Sequence, residues 1–93
     1  MKYIWSQTKN RANISKHGID FNDVQDIFNY PMLTAIDKRF DYGEERWVGI
    51  GFLKGIIAVV VYTEDDDSDT IRIISARKAT KHENTKFKEA LSH

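Results

Sequence analysis

The sequence predicts an α+β domain, with helices packed on a mainly antiparallel sheet of about four to five strands. Three observations predict it. Apolar residues at helical spacing occur only in the first third of the chain and at its C-terminal end. Residues 34–76 read in the two-residue period of strands, broken by short turn signals. One of those strands, residues 56–63, is apolar on both faces and so belongs at the sheet centre.

The elements follow in order. Lys2 to Trp5 reads as a short strand. Ser6 is an N-cap for a helix from about Gln7 to His17, and Gly18 is a natural residue just past its end. That helix is polar, with only Ala12 and Ile14 as apolar interior positions, so its stability must come from docking or its polar face must have another use. Asp20 caps a second helix whose Phe21, Val24, Ile27 and Phe28 form one face, ended by Tyr30-Pro31. Strands are expected at Thr34 to Phe40, Glu45 to Phe52, Ile56 to Thr63 and Thr70 to Ala76. Asp41-Tyr42-Gly43 and Lys54-Gly55 provide turns. In the second of these strands, Gly49 and Gly51 lie on one side, and Arg46, Val48, Ile50 and Phe52 on the other. Thr80-Lys81-His82-Glu83 announces a last helix through a capping box, with Phe87, Ala90 and Leu91 on its apolar face.

The 93 residues make one domain, with no repeat or linker. The absence of cysteine rules out disulfide and thiolate–metal chemistry and suits a reducing cytoplasm. No apolar leader is expected, since Met1–Trp5 turns polar at Ser6, and the apolar run Ile56 to Tyr62 is far short of the roughly 20 residues of a membrane helix. Fourteen bases balance fourteen acids, which argues against a nucleic-acid binder. Five of those acids, however, fall together at Glu64, Asp65, Asp66, Asp67 and Asp69. A basic face with a segregated acidic loop is one reading, and a solvated charge mixture is the other.

The chain lacks a glycine-rich phosphate loop and a nucleophile elbow, and His17, His82 and His93 do not have metal-ligand spacing. What remains is a set of cations: Lys16, His17, Arg46, Arg72, Arg77 and Lys78. Cleaving RNA without a metal needs a base for the 2′-hydroxyl, cations for the phosphorane and an acid for the leaving oxygen. Imidazole exchanges protons near neutrality, and arginine matches phosphate with a planar fork. Each residue also has a plainer reading. Lys16 and His17 complement a helix dipole, worth about 0.3–1 kcal/mol. Arg46 pairs with Glu44 or Glu45, and Glu83 serves the capping box. Arg72, between Ile71 and Ile73, is costly unless it is paired or serves a ligand. Tyr42 and Trp47 offer rings for base stacking, and Trp47 equally suits the sheet's packing. Arg72 and Arg77 are an odd number apart, so they share a face only if the chain bends or bulges around Ser75-Ala76.

Several blocks occur in an order that resembles the BrnT family of toxins. These are Trp5 before a polar helix, Asn13-x-x-Lys16-His17-Gly18-Ile19-x-Phe21, Phe28-x-x-Pro31 and Glu44-Glu45-Arg46-Trp47-x-x-Ile50-Gly51. Val59-Val60-Val61-Tyr62-Thr63-Glu64 and the run from Ile71 to Glu83 complete the pattern. The chain departs from it at Ser6-Gln7, Asn84 and Phe87, and in the length of its acidic loop. The resemblance implies a RelE-like fold and a metal-independent ribonuclease, without a cofactor, that inhibits translation and growth. It implies a BrnA-type antitoxin as partner, RNA as substrate, and operator DNA reached only through the antitoxin complex. By motif match it implies Lys16, His17, Glu45, Arg46, Arg72 and Arg77 as catalytic residues; Lys78 and Tyr42 are expected to contact RNA. The alternative is a non-catalytic module, or a degenerate toxin, that only binds antitoxin or DNA.

Overall fold

The computed structural model describes residues 1–65 and 69–92. Its elements are β1 (Lys2–Ile4), α1 (Gln7–His17), α2 (Phe21–Val24), a 3-10 turn (Gln25–Asn29), β2 (Met32–Ile36), β3 (Trp47–Leu53), β4 (Ile56–Glu64), β5 (Thr70–Lys78) and α3 (Lys81–Leu91). One sheet holds the strands in the order β1-β5-β4-β3-β2. β1 runs parallel to β5 and every other pair is antiparallel. This is the expected α+β, RelE-like architecture, with the doubly apolar β4 at its centre. No described helix is long and apolar enough to cross a membrane.

Local chemistry explains most boundaries. The Ser6 hydroxyl accepts the Lys9 amide N–H, and Gly18 closes α1 at φ 70° with its own N–H on the Ile14 carbonyl. Lys54 (φ 46°) and Gly55 (φ 85°) are both left-handed, the two-residue turn that matches the twist of a hairpin. Thr80 and Glu83 form both halves of the capping box.

Four elements differ from expectation, the first being β3, which starts at Trp47 rather than Glu45, so that Glu45 and Arg46 precede it. The strand expected over Thr34–Phe40 spans Met32–Ile36 instead. At Asp37 the carboxylate turns back to accept the Arg39 amide N–H at 3.1 Å, and the chain leaves the sheet. The helix after Asp20 is α-helical for four residues and then tightens to 3-10 before Pro31. β5 runs on to Lys78, so Arg77 and Lys78 are strand residues rather than a connection. Asp66 and Asp67 of the acidic segment, and His93, lie outside the described residues.

The core lies on one face of the sheet, where Ile19, Phe21, Val24 and Ile27 pack on Ala58, Val60, Tyr62, Ile71, Ile73 and Ala76. Gly49 and Gly51 let this layer approach, because a β-carbon on Gly51 would sit 3.1 Å from both Ile27 and Met32. On the other face α3 buries Phe87, edge-on to Phe52 at 5.1 Å between ring centroids. α3 leaves part of that face uncovered, between β2 and β5.

Candidate active site

The site is built on β5. Val61 pairs with Ser75, but its neighbour Tyr62 pairs with Ile73, so Ile74 is an extra residue. This bulge lies one position before the expected Ser75-Ala76, and it resets the alternation. Ile71, Ile73 and Ala76 therefore face the core, while Arg72, Ser75 and Arg77 share the opposite face. Arg72 and Arg77 stand beside Thr63 and Val59 of β4. Those partners are four residues apart, or ~13 Å along a strand.

Asn13 brings α1 to this strand. β1 covers β5 only at Thr70–Arg72, so the edge beyond is open. There the buried Asn13 amide takes the place of a neighbouring strand: its Nδ2 donates to the Ala76 carbonyl at 2.9 Å, and its Oδ1 accepts the Ala76 N–H at 3.1 Å. Nδ2 also donates to the Ile19 carbonyl at 2.9 Å. Asn10, also buried, accepts the Phe21 N–H at 2.8 Å and donates to Asp20 at 3.0 Å. The polar helix thus docks through asparagine amides, and its last residue, His17, reaches the edge of the open face.

An open groove of about 390 Å³ lies there. Val48, Val59 and Val61 line it from the central strands, His17, Ser75 and Arg77 from one side, and Ala35 to Arg39 from the other. Arg77 grips Glu83 of α3 with two hydrogen bonds, at 2.7 and 2.9 Å. This pair, with the Thr80 amide, holds the Glu83 carboxyl down at about 2. Across the groove Arg39 grips Asp37 in the same way, at 2.9 and 2.8 Å. The Tyr42 hydroxyl donates to Asp37 at 3.2 Å.

Tyr42 leads to a second cluster. The Arg46 guanidinium lies 4.0 Å from the centre of its ring. Arg46 Nε donates to Glu44 at 3.2 Å, and Arg72 donates to the other oxygen of Glu44 at 2.6 Å. Arg72 holds the Glu44 carboxyl below its ordinary range, with Arg46 adding to the effect. Glu44, Asp37 and Glu83 are therefore fixed anions that orient arginines. A carboxylate held ionised in this way is a poor proton acceptor.

The structure thus brings Arg77 and His17 to one groove, and Arg46, Arg72 and Tyr42 to the adjoining cluster. Lys16 is exposed beside His17 in a small hollow with Ser75. Glu45 is exposed and makes no ion pair among the described residues. Lys78, next to Arg77 on β5, lies instead with Phe52, Ile56 and Lys88 at the sheet's end. Sequence reasoning missed Asn13, Asp37 and Arg39 as parts of the site, while Glu44 is, as expected, a partner of Arg46. Among the described residues, no group of three or more histidine or carboxylate side chains could hold a metal ion.

A family model described as the ribonuclease toxin BrnT of type II toxin–antitoxin systems matches residues 5–83. No curated protein matches the chain.

Proposed function

The chain belongs to the BrnT family of ribonuclease toxins of type II toxin–antitoxin systems, and from that premise we propose that it cleaves RNA without a metal ion on the open face of its sheet. The observation that carries this reading is the meeting of His17, from α1, with Arg77, from β5, at one groove. His17 takes the proton of a 2′-hydroxyl as that oxygen attacks the neighbouring phosphorus. Arg77 stabilises the phosphorane, the bond to the 5′-oxygen breaks, and Lys16 or the protonated His17 returns a proton to that oxygen. The products are a 2′,3′-cyclic phosphate and a 5′-hydroxyl.

At ~13 Å from Arg77, Arg72 serves a different phosphate of the same strand. Arg46 stands with it, its two terminal nitrogens unused by Glu44. Tyr42 supports Arg46, and Glu45 stands at this end, away from the proton transfer at His17. Lys78 is left for RNA that continues round the sheet. A BrnA-type antitoxin silences the chain in the cytoplasm and carries it to operator DNA.

The test is cleavage of single-stranded RNA by purified protein in excess EDTA. The wild type should leave cyclic phosphate ends; His17→Ala and Arg77→Ala should each lose on the order of 10²–10⁴ in rate while remaining folded, and Arg72→Ala should act through KM, by about tenfold. Cleavage only after magnesium is restored would overturn metal independence. Full activity in His17→Ala and Arg77→Ala would overturn the site.

A further inference from the structure

We infer that Arg39 is a further RNA-phosphate contact, facing Arg77 across the groove, and that buried Asp37 is its positioning residue. The inference rests on the reading of the groove as the RNA site. The two rims are alike in construction. On each, an arginine enters the groove from a sheet strand or its end, and a carboxylate holds it by two nitrogens: Arg77 by Glu83, Arg39 by Asp37. The surface between them is apolar, formed by Val48, Val59 and Val61. Such a surface suits sugar and base faces, and cations on both rims suit the phosphates of a strand lying between. Glu83 raises the proton affinity of Arg77, and the charge of Arg39 across the groove acts on it in the opposite sense.

Asp37 is unusual for its surroundings. Residues 38–41 are exposed, yet the Asp37 side chain is 1% exposed. Burying a carboxylate is unfavourable unless it is fully hydrogen-bonded. Here it accepts the Arg39 amide, two guanidinium nitrogens of Arg39 and the Tyr42 hydroxyl, while its own N–H donates to the Arg46 carbonyl at 2.7 Å. The Arg39 side chain is 67% exposed. A buried anion therefore holds an exposed cation in one orientation at a groove rim. With one fork edge on Asp37, the guanidinium keeps other N–H groups for a phosphate.

The experiment measures binding of a fluorescein-labelled 2′-O-methyl RNA oligonucleotide, which has no attacking hydroxyl, by anisotropy over a range of salt. Each phosphate contact on a single strand contributes about 0.7 to the slope of log affinity against log salt. Arg39→Ala should lower that slope by about 0.7, and on cleavable RNA should raise KM about tenfold with kcat held within about twofold. Arg39→Lys keeps the charge and should keep the slope. Asp37→Asn should also keep the slope while weakening affinity, because the cation remains but is no longer held. If Arg39→Ala does not fold, the double variant Asp37→Asn/Arg39→Ala removes the buried charge together with its partner and should show the same lost slope. Arg77→Ala serves as the reference. A slope lowered by Arg77→Ala but not by Arg39→Ala would overturn the role of Arg39 alone. A slope lowered by neither, or a wild type that does not bind, would overturn the groove reading and this inference with it.

Discussion

Replacing Asn13 with alanine tests the docking of α1, and with it the placement of His17. The side chain is buried and makes three hydrogen bonds to backbone atoms: the N–H and carbonyl of Ala76, and the carbonyl of Ile19. Two of these seal the β5 edge where β1 has ended. An intramolecular hydrogen bond contributes about 1 kcal/mol net, and a buried group left unpaired costs about 1–3 kcal/mol. Some water will reach an edge, so the sum is set at ~3–4 kcal/mol. A domain of this size has roughly 5–14 kcal/mol in all. With a urea dependence of about 1.5 kcal/mol per molar, the midpoint should fall by about 2 M. Asn13→Asp sharpens the test. It keeps an acceptor for the Ala76 N–H but turns a carboxylate oxygen toward two carbonyls, so it should be worse than alanine at pH 7. Its folded-state pKa would be raised, so stability should return as pH falls through that value, because the protonated acid regains a donor. Urea denaturation at pH 7 and at pH 5 measures both effects. A loss below about 1 kcal/mol in Asn13→Ala, or an Asn13→Asp variant more stable than Asn13→Ala at pH 7, would refute the reasoning.

Two further perturbations probe the opposite face and the core. The Glu83 carboxyl is held at about 2 by Arg77, against 4.5 ordinarily, so its contribution is present above pH 4.5 and is lost as pH falls through 2. Glu83→Gln keeps the capping box but loses the ion pair; melting temperatures between pH 4.5 and 2 should fall less steeply than in the wild type, and parallel acid limbs would count against the pair. Gly49→Ala would place a β-carbon 2.4 Å from the Met32 terminal methyl and 3.3 Å from the Tyr62 ring. The Met32 methyl must give up its packed position while the ring is only slightly crowded, so a loss of about 1–2 kcal/mol is expected in urea; Met32→Val in the same chain should restore most of it, and no rescue would place the conflict at Tyr62.

What could be read in the sequence was read where the cause lies within a few residues. Ser6 and Gly18 bound α1 because capping is satisfied by the adjacent turn. Lys54-Gly55 joins β3 to β4 because two left-handed residues make the hairpin turn. Thr80 and Glu83 start α3 because each side chain meets the other's backbone. The central place of β4 followed from apolar residues on both of its faces, and the same alternation separated Gly49 and Gly51 from Val48 and Ile50. Alternation failed at β5, where the bulge at Ile74 is defined only by the register against β4; without it Arg72 and Arg77 would face opposite ways. Asp37 looked like a mid-strand residue until the chain turned back on its carboxylate. The polar character of α1 was legible, but its purpose was not. Asn13 and Ala76 are 63 residues apart in sequence, and a side-chain amide that replaces a missing strand is recognisable only once the sheet has formed and left that edge open. Short-range steric and capping preferences are thus written in the chain. The shared face of the arginines and the approach of His17 come from hydrogen bonds between distant segments, which only the assembled tertiary structure supplies.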